Sequence, residues 1–260
     1  MHPFDEQRVE AIRALQRLWA NTPMTLVGAS AIACHIPFEH RITQDIDLAL
    51  AVAVDDAHAV LTREPGWVAD ARIPHRWASP TGVSIDLIPV APALLAAGEV
   101  IWPRGQRFTL LGFRHALIST VTESIADDTE LQVASVPALC LLKAIAYESS
   151  PVDRERDLGD IAWLLELGVH ENDEARFSSL AVASRLPDDL FGAFLLGVRL
   201  RALIDAPERR ALLAFHERVM GAVDGGRTQT VMNPKAPPSW KADPDRVLHV
   251  FRAFRRGLGD

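Results

Sequence analysis

The sequence predicts an α+β protein, with a mixed sheet and helices in the N-terminal half and a mainly helical C-terminal half. Three observations carry this reading. Residues 45–54 alternate: Ile46, Leu48, Leu50 and Val52 fall on one side, Asp45, Asp47, Ala49 and Ala51 on the other, the two-residue period of a strand with one core face. Short apolar runs at 24–27 and 83–90 are β-branched and bounded by turn residues, as buried strands are. From about residue 134 the apolar residues take up helical spacing instead.

The elements follow in order. Residues 5–20 carry Val9, Ile12, Leu15 and Trp19 at helical spacing with charges between, which predicts an amphipathic helix broken by Thr22-Pro23. Met24-Thr25-Leu26-Val27 is a strand, and Gly28-Ala29-Ser30 turns it into a small-residue helix that stops before Pro37. A helix over 55–63, strands over 67–73 and 83–90, and a further strand over 107–113 complete the first half. Ser135 before Pro137 starts a helix with the stripe Leu139, Leu142, Ile145 and Ala146. A second helix runs over 154–167 with Gly168 as its stop, and apolar helical segments fill 188–220. The prolines and paired glycines of 221–244 predict a loop, and 245–256 a last basic helix bearing Arg252, Arg255 and Arg256. The expected division is into domains of residues 1–133 and 134–260.

Composition bounds the partners. The formal net charge of −7 argues against non-specific nucleic-acid binding driven by charge alone. Residues 1–133 carry 10 basic and 16 acidic side chains, residues 134–260 carry 17 and 18, so the acidic excess lies where a cation site would use it. No apolar run is long enough for a membrane span, and Asp5, Glu6 and Glu10 interrupt any signal-peptide pattern. Cys34 and Cys140 lie in apolar surroundings without metal-ligand spacing, so reduced thiols in a cytoplasmic protein are expected. Only three of the 27 basic residues are lysines, Lys143, Lys235 and Lys241.

The chemistry concentrates at Asp45-Ile46-Asp47. Residues i and i+2 of a strand share a face, so the two carboxylates stand together, and a divalent cation relieves their repulsion. Hard oxygen donors favour magnesium or manganese. Asp86, inside the apolar run Val83–Pro89, needs a partner because an unpaired buried charge is expensive. That partner is either the same metal site, as its third carboxylate, or an arginine. The strand-to-helix turn at Gly28, Ala29 and Ser30 offers free backbone N–H groups and a helix dipole to an anion, with the Ser30 hydroxyl as a further donor. His35, His40 and His75 lie near this region but form no zinc set, and Trp67 and Trp77 are read as core in preference to base-stacking residues.

This order of features resembles the nucleotidyltransferase superfamily typified by DNA polymerase beta. Within it the likeness is to AbiEii-type toxins, with Gly28-Ala29-Ser30-Ala31 standing for Gly-Gly-Ser/Thr-Ala. Arg41-x-Thr43-x-Asp45-Ile46-Asp47 stands for Arg-x-Ser/Thr-x-Asp-hydrophobic-Asp. Lys143 followed by Arg154-Glu155-Arg156-Asp157-Leu158-Gly159-Asp160 matches that family's helical block, Ala29 replacing its second glycine and Arg156 its lysine. The likeness spans roughly 24–167. It implies a polymerase-beta-like catalytic domain and a helical domain completing a nucleotide cleft. It implies Mg2+ or Mn2+ on Asp45, Asp47 and Asp86, a nucleoside triphosphate as substrate, and Gly28, Ala29, Ser30, Arg41, Thr43, Arg154 and Asp157 as its binding residues, with Lys143 in catalysis. The implied reaction moves a nucleoside monophosphate to an acceptor hydroxyl or phosphate, with tRNA or other RNA as acceptor and an antitoxin protein as partner. A transferase acting on a small molecule such as an antibiotic, and a non-catalytic nucleotide-binding protein, are the alternatives.

Overall fold

The computed structural model describes residues 4–36, 45–169, 173–224 and 236–259. The chain divides into two compact units, with the division between Ser135 and Val136. In the first, helix α1 (Glu6–Leu18) starts on an Asp5 cap that accepts from the Arg8 N–H, and buries Val9, Ile12 and Leu15 as the spacing predicts. Strand β1 (Met24–Val27) runs directly into α2 (Gly28–His35), and β2 (Asp45–Leu50) is followed by α3 (Val54–Arg63). Then come β3 (Val68–Ala69), β4 (Arg76–Ala78), β5 (Ser84–Pro89), α4 (Pro92–Ala97), the hairpin β6 (Glu99–Ile101) and β7 (Arg107–Thr109), α5 (Phe113–Ile118), β8 (Thr120–Ala126) and β9 (Thr129–Ala134).

Seven of these strands form one mixed sheet in the order β3-β4-β5-β2-β1-β9-β8. The pairs β1–β9 and β2–β5 are parallel and the rest antiparallel. Ile46, Leu48 and Leu50 are fully buried, so the alternation of 45–50 reads true, but the strand stops at Leu50, short of Val52. The strand expected over 67–73 is only Val68–Ala69. Asp70 ends it, accepting from the N–H groups of Arg72 (2.7 Å) and Ile73 (2.8 Å) and closing a turn. The next strand begins at Arg76 instead. Likewise 107–113 is strand only to Thr109, because Phe113 opens α5. The β8–β9 hairpin, absent from the expected elements, puts β9 beside β1 with Leu26 opposite Val133. Arg13 and Gln16 of α1 bind this hairpin at Thr129 (2.7 Å) and at the Glu130 carbonyl (2.7 Å).

The second unit is helical throughout its described residues. It comprises α6 (Val136–Ser149), α7 (Glu155–Leu167), a 3-10 turn (Glu174–Phe177), α8 (Ser179–Ser184), α9 (Asp188–Leu203), α10 (Ala206–Asp224), α11 (Pro238–Ala242) and α12 (Pro244–Leu258). On α6, Leu139 and Ile145 are buried, but Leu142 and Ala146 are only half-buried. The covered face runs instead through Ala138, Leu141 and Ala144. Helices α9 and α12 meet backbone to backbone: a Cβ on Gly197 would strike the Phe254 carbonyl, and one on Gly257 the Phe194 carbonyl. Trp240, Phe215 and Phe251 fill the neighbouring core, with ring centroids 5.9 Å apart for Trp240–Phe251 and 6.3 Å for Phe215–Phe251. The loop expected over 221–244 holds the end of α10 and all of α11; residues 225–235 lie outside the described residues. The basic face of the last helix is partly used internally, with Arg256 over the Phe194 ring at 5.9 Å and Arg255 bound to the Gly259 carbonyl.

Both cysteines are free thiols, and burial pushes each up to about 12. Among the described residues no helix is long and apolar enough to cross a membrane. His216 on α10 is buried and its Nε2 lies 3.1 Å from the Phe251 carbonyl. Burial lowers its pKa from the ordinary 6.5, so the folded state holds it neutral. Its contribution is therefore present above pH 6.5 and lost as pH falls below, where the unfolded chain takes up a proton first. The urea midpoint should fall between about pH 7.5 and about pH 5.5, and His216→Gln should remove part of that fall.

Candidate active site

The site is assembled by strand register. In the parallel pair β2–β5, Asp47 stands directly beside Asp86, and Asp45, two residues before Asp47, shares its face. Neighbouring strands lie about 4.8 Å apart, and two carboxylates about 5 Å apart repel by roughly 3 kcal/mol at an effective dielectric of about 20. Asp45 and Asp47 are half-buried and the Asp86 side chain is only 9% exposed, so water alone answers little of this repulsion at Asp86.

The antiparallel hairpin β4–β5 places Arg76 opposite Asp86. Its guanidinium grips Asp86 with both arms, Nε to Oδ1 at 2.7 Å and Nη2 to Oδ2 at 2.8 Å. The same Nη2 donates to Asp45 Oδ2 at 2.9 Å. These hydrogen bonds, with the charges of Asp86, Asp45 and Asp47, hold the Arg76 pKa above its ordinary value. His75 Nε2 lies 3.7 Å from Asp86 Oδ2, its ring against Trp102 and Phe108. Arg76 is the site residue that the sequence reading missed. Its signal was the turn Ser79-Pro80-Thr81-Gly82: with Ala78 and Ser84 as the flanking pair, Arg76 falls opposite Asp86.

On the other side of Asp47 is the β1–α2 turn, where Val27 pairs with Asp47. Gly28 has φ +70°, and a Cβ there would overlap the Asp47 carboxylate, so glycine is required for both conformation and space. No side chain caps the N-terminus of α2 among the described residues. Ala29 and Ser30 are buried. The Ser30 hydroxyl donates to the Asp45 carbonyl at 3.1 Å, which fastens α2 to β2. Arg41, Thr43 and His40 lie outside the described residues. His35 is hydrogen-bonded to the Ala134 carbonyl at 2.7 Å, and Trp67 and Trp77 are core residues, 8% and 4% exposed.

In the helical unit the predicted residues also gather. Lys143 Nζ, on α6, lies 2.8 Å from Asp157 Oδ1 and 2.7 Å from Asp160 Oδ2, both on α7 and each 1% exposed. Arg154, just before α7, lies 3.7 Å from the other oxygen of Asp157. The helical spacing between Arg156 and Asp160 suggests a surface pair, but Arg156 is exposed and Asp160 turns inward to Lys143.

A seven-stranded mixed sheet with a glycine turn against an Asp-x-Asp strand is followed by a helical unit, and the family that the chain matches is one of nucleotidyltransferases. A family model described as "Nucleotidyl transferase AbiEii toxin, Type IV TA system" matches residues 13–220, and the chain belongs to that family. It is therefore a transferase of nucleotidyl groups. No curated protein sequence matches the chain. Among solved structures, an antigenic nucleotidyltransferase-like protein from Paracoccidioides brasiliensis is similar at 16% identity, over 77% of this chain and 94% of that one, with a TM-score of 0.44. Antibiotic-resistance factor ANT(2'')-Ia is similar at 16% identity over 69% and 96%, TM-score 0.41. JHP933 from Helicobacter pylori is similar at 18% over 85% and 97%, TM-score 0.31.

Two substitutions check the geometry. Gly28→Ala should displace Asp47, lowering stability by about 1–3 kcal/mol in denaturant titration and lowering transfer activity. Lys143→Met leaves two carboxylates in the interior without their shared cation, and should destabilise the protein by about 3–5 kcal/mol.

Proposed function

We propose that the protein transfers a nucleoside monophosphate from a nucleoside triphosphate to a hydroxyl or phosphate of an RNA acceptor, tRNA being the first candidate. The carrying observation is the row of Asp45, Asp47 and Asp86 on one face of the sheet, next to the Gly28 turn. That donor set fits magnesium or manganese: it offers hard carboxylate oxygens, and it already draws a cation, the Arg76 guanidinium. Asp45, Asp47 and Asp86 would hold the metal. Bound there, such a cation supplies charge neutralisation for the phosphates and a lowered pKa for the attacking hydroxyl.

The chain's own residues do the rest. The backbone N–H groups at the start of α2, from Gly28 to Ser30, receive the β- and γ-phosphates at the positive end of the helix dipole. The Ser30 side chain keeps Asp45 in place through its carbonyl. Asp86 takes the acceptor's proton on a carboxylate oxygen, and pyrophosphate leaves. Arg41 and Thr43 join the phosphate ligands on the family pattern alone. For Lys143, Arg154 and Asp157, the ion pairs support a role in holding α6 to α7. The family description supports an antitoxin protein as partner.

The test is label transfer. Purified protein, magnesium and each α-labelled nucleoside triphosphate are incubated with total cellular RNA and protein. Label should enter RNA, and Asp47→Ala should reduce it by roughly 100-fold or more. Equal labelling by the variant would overturn the site, while label only on small hydroxylated molecules would move the acceptor to that class.

A further inference from the structure

The side chain that completes the carboxylate row is a cation supplied by the chain itself. Arg76 engages both oxygens of Asp86 and one of Asp45, so two of the three proposed metal ligands already have a positive partner. This is not a chance surface contact. The hairpin register sets Arg76 opposite Asp86, and three hydrogen bonds of 2.7–2.9 Å converge on one guanidinium.

We propose that Arg76 is a built-in counter-ion of the carboxylate site: it holds Asp45 and Asp86 together in the cation-free protein, and must release them for a divalent cation to bind. The inference rests on the metal reading above and extends it to the state of the protein before loading. A guanidinium and a divalent cation drawing on the same oxygens repel each other strongly at such range. One of them has to withdraw. The guanidinium has room to do so, because the Arg76 side chain is 29% exposed and lies on the sheet face opposite Trp77. Among the described residues β4 is one strand from the sheet edge, flanked by the two-residue β3. Arg76 thus raises the cation concentration needed to load the site and stabilises the unloaded site.

The decisive experiment is Mn2+ binding to the nucleotide-free full-length protein, read by electron paramagnetic resonance, with thermal unfolding in chelator alongside. Arg76→Gln should bind Mn2+ about tenfold tighter than the unsubstituted protein or better, because a fixed like charge is gone. In chelator it should melt lower, and Mn2+ should raise its Tm by more than it raises that of the unsubstituted protein. Arg76→Lys, which replaces the two-armed grip with a single ammonium, should bind about threefold tighter, and carries the test if Arg76→Gln does not fold. Affinity equal to or weaker than that of the unsubstituted protein in the folded variants would overturn the proposal, provided Asp47→Asn abolishes binding. If the unsubstituted protein and Arg76→Gln both bind no Mn2+, the metal reading itself fails and takes this proposal with it.

Discussion

Like charges held at fixed spacing are the constraint around which the first unit is organised. A parallel pairing of β2 with β5 brings Asp47 level with Asp86, and strand periodicity adds Asp45 to the same face. None of these residues can relax away without breaking a central ladder of the sheet, because Ile46, Leu48, Ile85 and Leu87 on the opposite face are locked in the core. The repulsion has to be met by something positive delivered to that face. The hairpin delivers Arg76 from one side, and the β1–α2 turn brings the N-terminal end of a helix from the other. Gly28 is what lets that turn come so close, since any side chain there would occupy the space of the Asp47 carboxylate.

The helical unit meets a similar problem differently. Asp157 and Asp160 sit one turn apart on α7 and are almost wholly covered, and Lys143 from α6 lies between them. Here burial is nearly complete, so the pairing holds two helices in one relative position. In the first unit, Asp45, Asp47 and Arg76 keep part of their surface, which leaves the pairing open to exchange. Burial separates a group of charges that fixes structure from one that can take a ligand. The glycine contact of Gly197 and Gly257 belongs with the former, bringing α9 and α12 so close that their relative position has little freedom.

Much of the site was legible because its signals are local. Asp45 and Asp47 share a face by the two-residue period alone, and Gly28 announces a strand-to-helix turn. Arg76 was not read, because the strand before it was placed at 67–73. The cause is Asp70, whose side chain closes a turn and delays β4 to Arg76. The β8–β9 hairpin was missed for a related reason. Its buried residues, Leu131 and Val133, alternate with the exposed Glu130 and Gln132, a weak pattern beside the strongly apolar central strands. The four-residue spacing of Arg156 and Asp160 allows a surface pair, and only packing against α6 shows that Asp160 faces inward to Lys143.

The sequence by itself determined the class of fold, the carboxylate pair and the glycine turn, since each depends on residues within a few positions of one another, and the family pattern, which is a succession of such short motifs in chain order. Tertiary structure alone decided which charges meet. That Asp86 stands beside Asp47, that Arg76 bridges Asp86 and Asp45, and that Lys143 joins two aspartates are consequences of register and helix packing. Those are long-range choices. A one-residue shift in the pairing of β2 with β5 would send Asp86 to the opposite face of the sheet from Asp47 while leaving every local signal unchanged.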